Sequence, residues 1–188
     1  MTSEGRVWDT VPYERERAVL YARRWAKRRN PLFYEFDELG GDCTNFVSQC
    51  LLAGSCVMNF TPDYGWYFID PGDRSPSWTG VEFFYRFLTE NTGAGPFGRE
   101  VAREQAEVGD VVQLFNGTRF YHTLLITDVR DGVIYVSAHS YDALDRDLAT
   151  YTYRADRFIH VEGVRRDPRL SIIDCFPILY DQPEDRSR

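Results

Sequence analysis

GGDCTNFVSQCLLAG (40–54) is the stretch from which the fold can be read. Gly40-Gly41 is a flexible turn, and Asp42 is a residue type that starts helices. After it Cys43, Phe46, Val47, Cys50 and Leu51 recur at helical spacing, and Gly54 is a natural helix stop. The segment reads as a core helix with Cys43 in its first turn. Backbone N–H groups left unpaired at a helix start favour a thiolate over a thiol, so the placement suits a nucleophile.

Two further helices flank this one in sequence. Ala18, Tyr21, Ala22 and Trp25 share one face of a helix predicted over 13–29, whose basic end (Arg23, Arg24, Lys27, Arg28, Arg29) reads as a solvated last turn before Asn30-Pro31. Thr79 and Glu82 form the pattern of a capping box ahead of a helix over 80–91, and 91–98 reads as a loop. The second half is β-branched and aromatic: 110–115, 122–130, 133–140, 158–164 and 172–180 are predicted strands, with Asp131-Gly132 as a two-residue hairpin turn. Helices followed by a mostly antiparallel sheet make one α+β domain, core 13–180 with a loose tail at 181–188.

Composition narrows the chemistry. The 188 residues carry a net charge of −7, which argues against a general nucleic-acid binder. No apolar run is long enough to span a membrane, and the N-terminus has no secretory apolar region. Lys27 is the only lysine and does not follow a glycine, which removes a phosphate-binding Gly-Lys loop. Cys43, Cys50, Cys56 and Cys175 match no common zinc spacing, and with no export signal they read as reduced thiols in a cytoplasmic protein; the last three read as small buried hydrophobes. No metal or cofactor is called for.

A cysteine nucleophile needs a base, usually histidine, and a group to orient it. If 122–130 and 133–140 pair through an unbroken hairpin, Leu124 opposes His139 and His122 opposes Tyr141. His122 and His139 then share a face with Cα atoms roughly 7–8 Å apart. Asp142 falls on the opposite face unless a bulge intervenes. His160 reads as structural, and Trp66, Tyr67, Trp78, Phe83 and Phe84 as core or cleft wall.

GGDCTNFVSQCLLAG (40–54), SPSWTGVEFFY (75–85), GDVVQLF (109–115), YHTLLIT (121–127) and VSAHS (136–140) together resemble the bacterial putative amidase domain family, which is similar to the NlpC-like and CHAP peptidases of the papain-like superfamily. The likeness covers most of 13–145. It implies a papain-like fold with Cys43 as nucleophile, His122 as base and His139 as third polar residue. Asp42, Asn45 and Trp78 match motif positions that shape the site, and Tyr34 is the expected second oxyanion donor. The implied activity is a cysteine amidase or peptidase acting on a peptide or other amide, such as a cell-wall peptide; with no coiled coil or exposed apolar helix standing out, the chain reads as a monomer. Acyl transfer from the same site, or a non-catalytic peptide-binding module, are the alternatives.

Overall fold

The structure is a computed structural model that describes residues 7–171 and 173–183. In chain order its elements are β1 (Asp9–Val11), α1 (Arg15–Trp25), α2 (Cys43–Ser55), β2 (Phe68–Asp70), β3 (Asp73–Arg74), α3 (Pro76–Thr79), α4 (Val81–Glu90), β4 (Gly95–Val101), β5 (Val111–Phe115), β6 (Phe120–Arg130), β7 (Val133–Ala138), β8 (Ala143–Asp147), β9 (Ala155–Arg166) and α5 (Phe176–Tyr180). Among the described residues one seven-stranded sheet runs β1-β9-β5-β6-β7-β8, with β4 also on β9 and every pairing antiparallel. The mixed α and β composition and the antiparallel sheet are those expected.

α2 is the centre of the molecule. Every residue from Cys43 to Gly54 is buried, because α1, α3, α5 and the sheet pack around it. Its apolar residues join Tyr21, Trp25, Trp66, Trp78, Phe84, Leu125 and Ile159 in one core. The other sheet face carries a second core of Val112, Leu114, Leu124, Ile126, Val136, Ala138 and Phe158. A sheet covered on both faces has apolar residues at consecutive positions rather than alternating ones.

Several expectations need correction. α1 stops at Trp25, and the arginines beyond and before its end are not merely solvated. Arg23 donates to Thr127 O at 3.0 Å, and Arg29 pairs with Asp37 at 2.6 Å and Asp142 at 2.9 Å. Gly54 does not end α2; a Cβ there would lie 2.5 Å from Tyr13 Cε2, so glycine lets the chain before α1 cross the helix. The helix runs one residue past Gly54, to Ser55, and Cys56 after it takes the left-handed conformation at φ 52°. The Thr79–Glu82 capping box is not formed, because Thr79 closes α3 and Gly80 is the residue preceding α4. The predicted strand over 172–180 is the helix α5 from Phe176, with Ile172 outside the described residues. Part of the predicted loop 91–98 is β4. Of the tail, 184–188 also lies outside the described residues.

The thiols are not all reduced. Cys56 and Cys175 form a disulfide that ties the segment before α5 to the end of α2, leaving Cys43 and Cys50 free and buried. Disulfides persist in oxidising compartments, so the reduced-thiol argument for the cytoplasm no longer holds. Among the described residues no helix is long and apolar enough to cross a membrane.

Candidate active site

Cys43 opens α2, and Asp42 before it takes the N-cap position without capping. The Asp42 carboxylate instead serves three hydrogen-bond partners, with Arg29 Nε 3.7 Å from its Oδ2. Its Oδ1 accepts from the Phe36 N–H at 2.9 Å and from Asn45 Nδ2 at 2.8 Å, and its Oδ2 lies 2.6 Å from His139 Nδ1. The Asp42 N–H donates to Ser140 Oγ at 2.6 Å, and Ser140 in turn donates to Asp37 at 2.8 Å. Asn45 also donates to Tyr34 O at 3.0 Å and accepts from Trp78 Nε1 at 2.8 Å. Asp42, Asn45, Trp78, Tyr34 and His139, singled out separately in the sequence, thus belong to one hydrogen-bonded frame around the start of α2. Buried polar groups satisfied in this way rigidify their surroundings.

The Cys43 side chain is buried next to that frame. Its Sγ lies 3.8 Å from Thr44 Oγ1 and accepts a backbone hydrogen bond from Thr123. Burial pushes the thiol up, against these hydrogen bonds, and Asp42 pushes in the same direction. The resting group is a neutral thiol. The thiolate expected from helix placement alone is outweighed by desolvation.

A polar relay leads away from Cys43 that sequence reasoning missed. Thr44 Oγ1 meets Thr123 Oγ1 at 2.9 Å, and Gln113 Nε2 donates to Thr123 Oγ1 at 3.2 Å. Arg157 donates to Gln113 Oε1 at 2.6 Å and pairs with Glu82 at 2.8 Å. Gln113 in the apolar run GDVVQLF was the visible signal: a polar residue at that strand position needs a partner on the helix side.

The two histidines do not share a face. β6 and β7 pair as predicted from Arg130↔Val133 to Asp128↔Tyr135, through a turn with Asp131 and Gly132 both at positive φ. The register then shifts at Thr127, and Ile126 pairs with Val136 and Leu125 with Ser137. This bulge carries His139 to the helix side with Leu125. There it stacks on Phe46 at 4.1 Å and its Nε2 donates to Trp25 O at 2.9 Å. With one nitrogen against a carboxylate and the other on a carbonyl, His139 has none left to orient a second imidazole. Asp142, the other residue considered for that role, is bound to Arg29.

His122 stays on the opposite face with Leu124 and Ile126. Its ring contacts Tyr121 at 5.9 Å and Tyr151 at 6.0 Å between centroids. Burial, with the positive charge of Arg146 adding to it, lowers His122 to about 4, so the ring is neutral at pH 7. Among the described residues no hydrogen bond joins Cys43 to His122. The peptide that joins His122 to Thr123 nevertheless carries the backbone group that touches the thiol. His160 pairs with the buried Asp110 at 2.9 Å beside Arg15, far along β9 from this frame.

A cavity of about 960 Å³ borders the frame, and Cys43 is not among its lining residues. Trp25, Arg29, Asp37 and Asp142 line it, and Tyr34 is the one frame residue it shares with the predicted site. Among the described residues no group of three or more His, Cys, Asp or Glu is placed to hold a metal ion.

Comparison with known proteins agrees with the motif reading. The model of the family described as "Putative amidase domain" matches residues 12–162. "Uncharacterized protein YhbB" of Bacillus subtilis (strain 168) is 33% identical over 150 residues, which cover 74% of this chain and 47% of that protein. The chain therefore spans about half the length of that curated relative. No solved structure matches. With its family model covering most of the chain, including α2, β6 and β7, this chain belongs to the Putative amidase domain family, whose description suggests hydrolysis of amide bonds.

Proposed function

We propose that the chain is a cysteine amidohydrolase with a papain-like, NlpC-like site in which Cys43 is the nucleophile and His122 the base. The observation that carries this reading is the Cys43 thiol at the start of α2, against the peptide between His122 and Thr123. The Cys43 thiol and the His122 imidazole are both neutral at rest, which suits general-base catalysis, in which the proton moves as the sulfur attacks; the ring, which rests across β6, has to reach round to the thiol side for that transfer.

The Sγ–H proton passes to His122 as a new bond forms from sulfur to the amide carbon. The oxyanion that develops is stabilised by the Cys43 N–H at the helix start, with Tyr34 supplying the second donor. The C–N bond breaks, the amine leaves with the proton from His122, and a thioester remains on Cys43. Water, losing a proton to His122, releases the acid and restores the thiol. His139 acts through Asp42, holding the start of α2 in place. The substrate class is a peptide or related amide, with cell-wall peptides as the leading candidates.

The test is hydrolysis of a panel of peptide amides by the wild type, Cys43→Ala and His122→Ala, with folding checked by circular dichroism. The reading expects both variants to lose at least about 100-fold in kcat. Unchanged turnover in folded Cys43→Ala contradicts it. Product analysis with added hydroxylamine separates hydrolysis from acyl transfer.

A further inference from the structure

His139 cannot orient His122, so a base at His122 needs a different partner. Three groups face the His122 ring. Tyr121 comes from its own strand, Arg146 from β8, and Tyr151 from the segment between β8 and β9. Tyr151 is the unusual one. Its hydroxyl is shielded from solvent and has no hydrogen-bond partner among the described residues. A buried polar atom left unpaired costs stability, and such atoms concentrate where a role demands them.

Arg146 reaches that hydroxyl through its charge and a side-chain contact, but not with a hydrogen bond of ordinary geometry. Its guanidinium lies over the Tyr151 ring, 4.1 Å from the centroid, and its N–H groups go to Thr150 Oγ1 at 2.7 Å and Thr150 O at 3.0 Å. The stack fixes the Tyr151 ring beside His122. Burial pushes the phenol up, more than Arg146 lowers it, so the oxygen stays protonated and able to donate or accept.

We infer that Tyr151 is the positioning residue for His122, its hydroxyl oxygen accepting the ring N–H so that the other nitrogen keeps its lone pair free for the Cys43 proton. The arrangement puts a phenol where other thiol and serine hydrolases place a carboxylate or amide. It rests on the reading of Cys43 and His122 as nucleophile and base.

The test compares the full-length wild type with Tyr151→Phe, which keeps the ring and its arginine stack. Nitrogen-15 spectra of the His122 ring report the tautomer directly and need no substrate. The wild type is expected to show one tautomer, and Tyr151→Phe a mixture. On any amide the enzyme hydrolyses, kcat is expected to fall about 10-fold with little change in KM. Arg146→Gln, which keeps the hydroxyl, should raise the pH at which His122 titrates, because a neighbouring positive charge is gone. Identical tautomers and identical kcat in Tyr151→Phe overturn the inference. Turnover that survives Cys43→Ala instead overturns the underlying reading, whatever Tyr151→Phe does.

Discussion

At the scale of residues, Cys43 carries two opposed influences. The helix start favours its thiolate and burial favours its thiol, and burial wins because almost none of the side chain reaches water. Alkylation of the free enzyme measures the balance. With iodoacetamide and peptide mapping, Cys43 should label slowly at pH 6 to 8 and speed up only at clearly alkaline pH, since its thiolate appears late. Fast labelling at pH 6 would mean a resting thiolate–imidazolium pair instead. Asp42 shows the limit of local rules in a similar way. Its type and place predict an N-cap, yet Phe36, Asn45 and His139 compete for its carboxylate and take it. A sequence names the candidate cap but does not disclose the tertiary competitors.

At the scale of elements, long periodic segments were legible. α1, α2 and α4, strands β5 to β7 and β9, and the Asp131-Gly132 turn lie where spacing and turn chemistry put them. What escaped was a single inserted residue. Thr127 is an ordinary strand former, and nothing in its neighbourhood announces a bulge, yet it reverses which face His139 occupies. The short strands β1, β2, β3 and β8 lack the length for a clear alternation. α5 is not recognisable from its pattern, because Phe176, Ile178, Leu179 and Tyr180 satisfy a strand as readily as a helix. The disulfide that anchors this last helix bridges 119 positions. Loops of that length gain about 5 kcal/mol in the chain-entropy model, with measured losses more often 2–5 kcal/mol. Cys175→Ser should therefore lower stability to urea by about 2–5 kcal/mol and lower the melting temperature of the whole domain. If a reductant leaves the denaturation midpoint unchanged, the bridge does not form in solution.

At the scale of the whole molecule, the helical half and the sheet half meet at the start of α2. The helices supply Cys43 and its frame, and the sheet supplies Thr123, His139 and, across β6, His122. Motif words in the chain name most of these residues. They could not say which histidine faces which core, since that depends on the register of two strands relative to a helix far away in sequence. The residues beyond 145 were silent as motifs, and there Tyr151 and Arg157 come to lie, one beside His122 and one in the relay behind Cys43.

The central claim is that Cys43 takes up the acyl group. The direct measurement is intact-protein and peptide mass spectrometry after brief reaction with an activated acyl ester such as p-nitrophenyl acetate, quenched in acid. The account predicts one acetyl group, confined to the peptide that carries Cys43, absent from Cys43→Ala and slowed at least about 100-fold in His122→Ala. An acetyl group on any other residue, or equal acylation in Cys43→Ala, would contradict it.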